Sequence, residues 1–382
     1  MAKLPLIQNA INRLLSLILS GSYLSNIDKI FYFYMSTSLR EKNREVFLLK
    51  KKLSIECGIE EKMPIHLFLA ESIKSFKSKI NVDLPNLKCI QVVVKKKFDV
   101  KSYQNPKFLP VNQLCKYALD HLAPYIMDGF VHGSLSTMDF TEYSDLDTLF
   151  IIKQDVLEDP EKIKELEKRF IKSLRYLYEF DPLQHHSHFF LTECDLSFYN
   201  QSFLPISAIE LSTSILGKGT HLRFLVRDSK DESKKRFFES VRIILRYANN
   251  AETLKKPYFL KGMLSHFMIL PTLFLQLEGN YVSKKASFNI MKQKIPSSMW
   301  STMEKVSALR KNWSQRPAFY IKKLNRVLGT YNPLLLSHLG KFVSRPSILR
   351  KNQIAPELLA EIEVFARYLL HTSGLDENRF KN

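Results

Sequence analysis

The sequence predicts an α+β chain with a mixed-sheet core near its middle and an α-helical bundle at its C-terminal end. Three observations lead there. Two short apolar runs, Ile126–Val131 and Leu149-Phe150-Ile151-Ile152, have the length of buried strands and are separated by a polar stretch. The segments on either side of them repeat apolar residues at helical spacing. From Asp231 onward only helical periodicity is found.

Taken in order, residues 4–18 carry Ile7, Ile11, Leu14, Leu15 and Ile18 on one face and read as an amphipathic helix. Lys3 and Arg13 with a short apolar core faintly suggest a signal peptide, but the periodicity outweighs them. A basic run follows around 47–53, a strand is expected over 89–94, and the polar, Pro-bounded stretch 95–106 reads as a linker. Residues 110–122 place Leu114, Tyr117, Ala118, His121 and Leu122 at helical spacing. After the two apolar runs, Asp159-Pro160 opens a helix whose face is Ile163, Leu166, Phe170, Leu174 and Leu177, ending at Phe180-Asp181-Pro182. A third strand is expected over 183–192 and a closing helix over 205–216, stopped by Gly217-Lys218-Gly219, a glycine pair too short for a P-loop. Further helices are expected through 237–248, through 264–277 up to Gly279-Asn280, over 297–314 and over 356–371. Three parts result: a mixed N-terminal region over 1–109 with no assignable motif, a core over 110–228, and a helical bundle over 229–382.

The chemistry concentrates in the core. Val131-His132-Gly133-Ser134 closes the first apolar run, and ten residues later Asp145-Leu146-Asp147 leads into the second. Side chains alternate along a strand, so Asp145 and Asp147 point one way and Leu146 the other. Two carboxylates in one small space repel unless a cation bridges them, and hard oxygen ligands suit Mg²⁺. The Gly133-Ser134 turn lets backbone N–H groups approach a phosphate.

At Gly133, Ser134, Asp145 and Asp147, with Ser144 before the first acid, the chain resembles the nucleotidyltransferase superfamily, the fold typified by DNA polymerase beta. It is also similar to bacterial nucleotidyltransferase-domain proteins with a C-terminal helical domain. The resemblance covers residues 110–200. It implies a nucleotidyltransferase core with Mg²⁺ on Asp145 and Asp147, the phosphates of an NTP (ATP first) on Gly133 and Ser134, and transfer of a nucleoside monophosphate to an acceptor. The acceptor stays open among RNA, a protein side chain and a small hydroxylated molecule.

The chain departs from that family in two places. The spacer 135–143 lacks the small-residue and Arg signature often found after Gly-Ser. The third strand lacks the usual central carboxylate and carries His185, His186 and His188 instead, with period two placing His186 and His188 on one face. Three readings are open: His186 or His188 serves as base or metal ligand; Asp195 or Glu193 serves instead; or the histidines only line a cleft. The last goes with a catalytically inactive nucleotide- or nucleic-acid-binding module. A toxin–antitoxin or defence component that modifies a partner protein is a further reading. A structural zinc site is not expected, since no cysteine or acid joins the histidines at zinc-ligand spacing.

Composition narrows the rest. With 382 residues, 45% of them hydrophobic, the chain supports real cores and is not a disordered protein. Four scattered cysteines, Cys57, Cys89, Cys115 and Cys194, suit free thiols in a reducing, cytoplasmic compartment. No continuous apolar run reaches the roughly 18 residues of a membrane span. The net charge of +19 is spread over clusters such as Lys50-Lys51-Lys52, Lys95-Lys96-Lys97, Lys234-Lys235-Arg236, Lys255-Lys256, Lys284-Lys285, Lys322-Lys323 and Arg350-Lys351. Such a surface attracts polyanions and slightly favours RNA among the acceptors. Oligomeric state is not legible.

Overall fold

A computed structural model describes residues 3–22, 37–83, 87–99, 106–217, 221–313 and 353–375. The Lys322-Lys323 and Arg350-Lys351 clusters, part of the expected linker, and Lys218-Gly219 lie outside the described residues.

Helix α1 (Leu4–Leu19) forms where the periodicity placed it, with proline in its first turn, and it is more deeply buried than one amphipathic face requires. Ile7, Ile11, Leu14, Leu15, Leu17, Ile18 and Leu19 are all buried. The helix is enclosed by α2 (Thr37–Cys57), α3 (Ile65–Asp83) and parts of the central core. Strand β1 (Lys88–Val93) follows, one residue ahead of its expected place.

The core then runs α4 (Leu109–Tyr117), β2 (Ile126–Val131), the single turn α5 (Ser134–Thr137), β3 (Thr148–Ile152), the short α6 (Gln154–Leu157), α7 (Pro160–Phe180) and β4 (Phe189–Thr192). After β4 come α8 (Glu193–Ser197), α9 (Ile206–Glu210), β5 (Thr213–Ser214) and β6 (His221–Val226). Asp159 caps α7 by accepting from the N–H groups of Glu161 and Lys162, as the Asp-Pro start implies. The central sheet has the order β4-β3-β2-β5; β3 is parallel to β4, and β2 is antiparallel to β3 and β5. A separate antiparallel ribbon pairs β1 with β6, Lys88 opposite Val226 and Val93 opposite His221. Residues 1–109 therefore share their core and a strand pairing with the sheet-bearing region.

Every side chain of β3 is buried, as a strand covered on both faces requires. Leu146, Phe150 and Ile152 join the core made with α1, α4 and α7, whereas Leu149 and Ile151 join the core made with the ribbon and α9. The resulting architecture is mixed α/β, predominantly helical, with small sheets.

Two expectations are corrected. The third strand begins at Phe189, not 183, because residues 183–188 leave the ladder and pair with Leu146 through a side chain: Gln184 accepts from the Leu146 N–H (3.1 Å) and donates to its carbonyl (3.2 Å). The closing helix over 205–216 is only the short α9. Its remainder becomes β5, where the buried Asp128 carboxylate accepts from Ser214 Oγ (2.6 Å) and the Leu216 N–H (3.1 Å) and draws the chain back onto β2. Gly217, with φ of 67°, thus ends a strand rather than a helix.

The bundle consists of α10 (Lys230–Ala248), the short α11 (Ala251–Leu254), α12 (Pro257–Leu277), α13 (Lys284–Lys294), α14 (Ser297–Lys311) and α15 (Pro356–Thr372). Helix α10 packs on α12 and α15 around a core of its own, which also takes in Tyr143 and Leu183 from the sheet-bearing region. Among the described residues, α12 alone is long and apolar enough to cross a membrane by length and composition, and 67% of its most apolar window is buried inside the protein.

Asp195 lies at the C-terminal end of β4. Its carboxylate accepts from the Thr192 N–H (2.7 Å) and hydroxyl (2.9 Å), closing a capping box on α8, and from Gln8 Nε2 (2.7 Å) and Asn12 Nδ2 (2.8 Å) of α1. Gln8 in turn accepts from Arg227 Nε (3.0 Å). Replacing Asp195 by Ala strands several buried donors and should destabilise the protein by about 2–3 kcal/mol, read as a lower urea midpoint at unchanged slope.

Candidate active site

The site lies where β2 ends and β3 begins. The His132 N–H donates to the Asp147 carbonyl (3.0 Å), which extends the β2–β3 pairing by one step and brings Gly133 against Asp147. Gly133 has φ of 68° and ψ of −148°, a conformation open essentially only to glycine. A Cβ there would stand 2.6 Å from Asp147 Oδ2, so the glycine serves both the turn and the close approach of the carboxylate. Ser134 follows as the first residue of α5.

Asp145 and Asp147 converge as expected, although both stand just ahead of β3, which begins at Thr148. Leu146 between them is fully buried, and both acids turn to the opposite side, where they meet one imidazole. His186 Nε2 is 3.0 Å from Asp147 Oδ1 and 3.9 Å from Asp145 Oδ2. Its Nδ1 lies 2.9 Å from the Ser187 carbonyl and 3.3 Å from the Gln184 Nε2 amide, while Nε2 faces the two carboxylates, whose charge favours an imidazolium. Burial works against that charge, but the hydrogen bond to Asp147 and the charges of Asp147 and Asp145 outweigh it and raise the pKa to about 9.

Behind the pair sits a group that the motif gave no sign of. Lys261 of α12, with a fully buried side chain, donates to Asp145 Oδ1 (2.5 Å) and to Asp181 Oδ2. Burial alone would raise Asp145; the Lys261 charge, followed by His185, the bond to Asp181 and His186, holds it below the usual carboxylate range. Asp181, more deeply enclosed, is pushed up by burial and by the neighbouring Asp145 charge against the pull of Lys261. The spacer that ends at Asp145 is also tied to α12: Tyr143 Oη donates to the Lys261 carbonyl (2.6 Å) and lies 2.9 Å from Ser265 Oγ. Arg310 of α14 lies over the Tyr143 ring, 4.2 Å from its centroid.

The other expected site residues lie elsewhere. His188 does not share a face with His186, because the chain adopts strand geometry only from Phe189. Its Nδ1 meets Thr148 Oγ1 (2.6 Å), its Nε2 meets Ser173 Oγ (2.8 Å), and Phe150 and Phe170 pack on the ring. Both nitrogens are thus engaged within the core, and burial followed by the charge of His186 lowers its pKa to about 3. Asp195 is the cap described above, and Glu193 accepts from the Gln154 N–H (2.6 Å); both lie at the far end of the sheet from Asp145 and Asp147. His185 donates from Nδ1 to the Leu183 carbonyl (2.8 Å), and burial lowers its pKa to about 4 despite the nearby Asp145 charge.

Sequence reasoning missed Lys261, Asp181 and Gln184. Asp181 reads there as a helix-end residue, and Lys261 falls ahead of the helix expected through 264–277. Its place within the apolar stretch 257–277 was the one available signal.

Among the described residues no group of three or more His, Cys, Asp or Glu side chains is arranged to hold a metal ion. The donor chemistry suits a divalent cation held more sparsely. Asp145 Oδ2 and Asp147 Oδ1 already converge on one positive point, now the His186 N–H, and a hard cation that keeps several water or phosphate ligands needs only one or two carboxylates. No family model, curated protein or solved structure matches this chain.

Two outcomes follow from this geometry. Gly133→Ala should lose about 1–3 kcal/mol, read by urea unfolding, because the backbone conformation resists a side chain and the new methyl meets Asp147. The buried neutral His188 sets a pH dependence. Its folded pKa of about 3 lies below the ordinary 6.5, so the unfolded chain takes up the proton first. The contribution is fully present above pH 6.5 and is lost as pH falls toward 3. Unfolding free energies measured from pH 8 to 5 should therefore decline less in His188→Gln than in the parent, and equal slopes would contradict the assignment.

Proposed function

We propose that the protein is a Mg²⁺-dependent nucleotidyltransferase that moves a nucleoside monophosphate from an NTP, ATP first, to an acceptor. The observation that carries this reading is the convergence of one oxygen from Asp145 and one from Asp147 on a single cationic point beside a glycine turn with no room for a side chain.

Asp145 and Asp147 would hold the ion, and Gly133 and Ser134 would receive the phosphates through backbone N–H groups and a hydroxyl. Bound there, Mg²⁺ would neutralise charge on the transferred phosphoryl group. Lys284, at the start of α13, lies near the same acids; burial and then the Arg310 charge lower its pKa to about 7 against the pull of Asp147 and Asp145, so an anionic substrate beside it would favour its charged form. His186 as it stands is a proton donor near neutrality rather than a base, since Asp147 keeps its proton in place to about pH 9. With His188, Asp195 and Glu193 engaged elsewhere, deprotonation of the acceptor falls to solvent or to the acceptor's own chemistry. Among acceptors the basic charge favours RNA, and only slightly.

A second reading has its own observation. Lys261 and His186 already supply positive charge to the acidic pair, so the acids stand compensated without a metal ion, which favours a catalytically inactive nucleotide- or nucleic-acid-binding module.

The two readings separate in one experiment. The protein is incubated with each α-labelled NTP, Mg²⁺ and a cell lysate, and label is sought in RNA, protein and small molecules. Transfer that disappears in Asp147→Asn at a retained melting temperature, and in Asp145→Asn at a lower melting temperature but with a cooperative melt, is the expected result. An NTP-dependent rise in melting temperature with no transferred label would leave the binding module, and neither response would remove both readings.

A further inference from the structure

The nucleotidyltransferase reading gives the metal to two aspartates of the sheet-bearing region and leaves the bundle as a holder of acceptor or base. The contacts around Lys261 point further. One turn of α12 grips the segment 143–145 at both ends: Lys261 Nζ takes Asp145 Oδ1, while the Lys261 carbonyl takes the Tyr143 hydroxyl, which also meets Ser265 Oγ one turn on. With Oδ1 fixed, the carboxylate of Asp145 has one orientation, and Oδ2 is the oxygen turned toward the His186 N–H and Asp147. Asp181, 1% exposed on its side chain, anchors the same ammonium from the other side, so the lysine is not free to swing away.

Lys261 gives Asp145 and Asp181 a shared buried counter-charge, which lets Asp145 stand ionised inside the protein. A ligating carboxylate that is itself hydrogen-bonded on its other oxygen is more sharply oriented than a free one.

We propose that Lys261 is a positioning residue for the metal: from the helical bundle it orients Asp145, so that the cation site is complete only with α12 in place. This inference rests on the metal reading above, and its test keeps the two apart.

The experiment measures Mn²⁺ binding to the full chain directly, by calorimetry and by the paramagnetic resonance signal of free Mn²⁺, without any turnover assay. The main variant is the double change Lys261→Met with Asp181→Asn. It removes the ammonium together with the buried carboxyl that shares it, so no carboxylate is left facing an apolar side chain at 181, and the hold on Asp145 is lost. Far-ultraviolet circular dichroism and a cooperative melt establish that it is folded. The expected result is Mn²⁺ affinity weaker by about tenfold or more, the range in which losing the group that orients a ligand falls. Affinity equal to the parent's in the folded double variant would overturn the inference and leave the metal reading standing.

Should the double variant fail to fold, Tyr143→Phe carries the test, because it loosens the spacer from α12 while every charge remains. Weaker Mn²⁺ binding at unchanged secondary structure is then expected, and parent-like binding overturns the inference. No Mn²⁺ binding by the parent would overturn the metal reading and this inference together.

Discussion

A buried ammonium is the constraint around which the Asp-x-Asp region is organised. Lys261 is inaccessible to solvent, and a lone charge there would be untenable, so two carboxylates from different parts of the chain must meet it. Asp181 comes from the end of α7 and Asp145 from the loop before β3, which means that placing this one side chain fixes the mutual position of α7, β3 and α12. Removing a single member of such a cluster typically costs about 3–5 kcal/mol, because the charges left behind stay buried without compensation. The pair of sheets and the bundle have separate cores. The ion cluster, with Tyr143 beside it, is where the two halves of the molecule are made to agree.

Local patterns were legible in the sequence wherever one segment determines its own structure. The Asp-Pro start of α7, the two buried runs and the alternation that turns Asp145 and Asp147 the same way all depend on neighbours within a few positions. The failures share a different cause. The histidine segment reads as strand because period two is continuous through His186 and His188. In the structure Gln184 satisfies the Leu146 backbone with its side chain, a substitution that no periodicity reports. His188 then belongs to the core parity of Phe190, and His186, on the irregular stretch, turns the other way. Asp195 looked available as an acid and is instead consumed by donors as distant in sequence as Gln8. The identity of a partner 187 residues away is not written near the residue that needs it.

The same distinction separates the expected three-part organisation from the observed cores. Composition placed a linker at 95–106, yet β1 on one side of it pairs with β6 on the other, and the Phe98 N–H donates to the Ser214 carbonyl (2.8 Å). A polar, Pro-bounded stretch can be a crossing between two parts of one core as readily as a boundary between domains. The bundle is easier to anticipate, because each of its helices carries its own apolar face at helical spacing.

The position of α1 has a consequence for how the chain reaches its native state. Its apolar surface is enclosed partly by α7 and the end of β4, and its polar residues wait for Asp195 and Arg227. At a synthesis rate of about 5–20 residues per second, roughly 10–40 s separate the emergence of Gln8 from that of Asp195. For that interval α2 and α3 can already cover part of the helix, while the side that meets α7 and β4 has no partner yet. The apolar run that gives α1 a faint likeness to an export signal is the same surface that the finished core later covers.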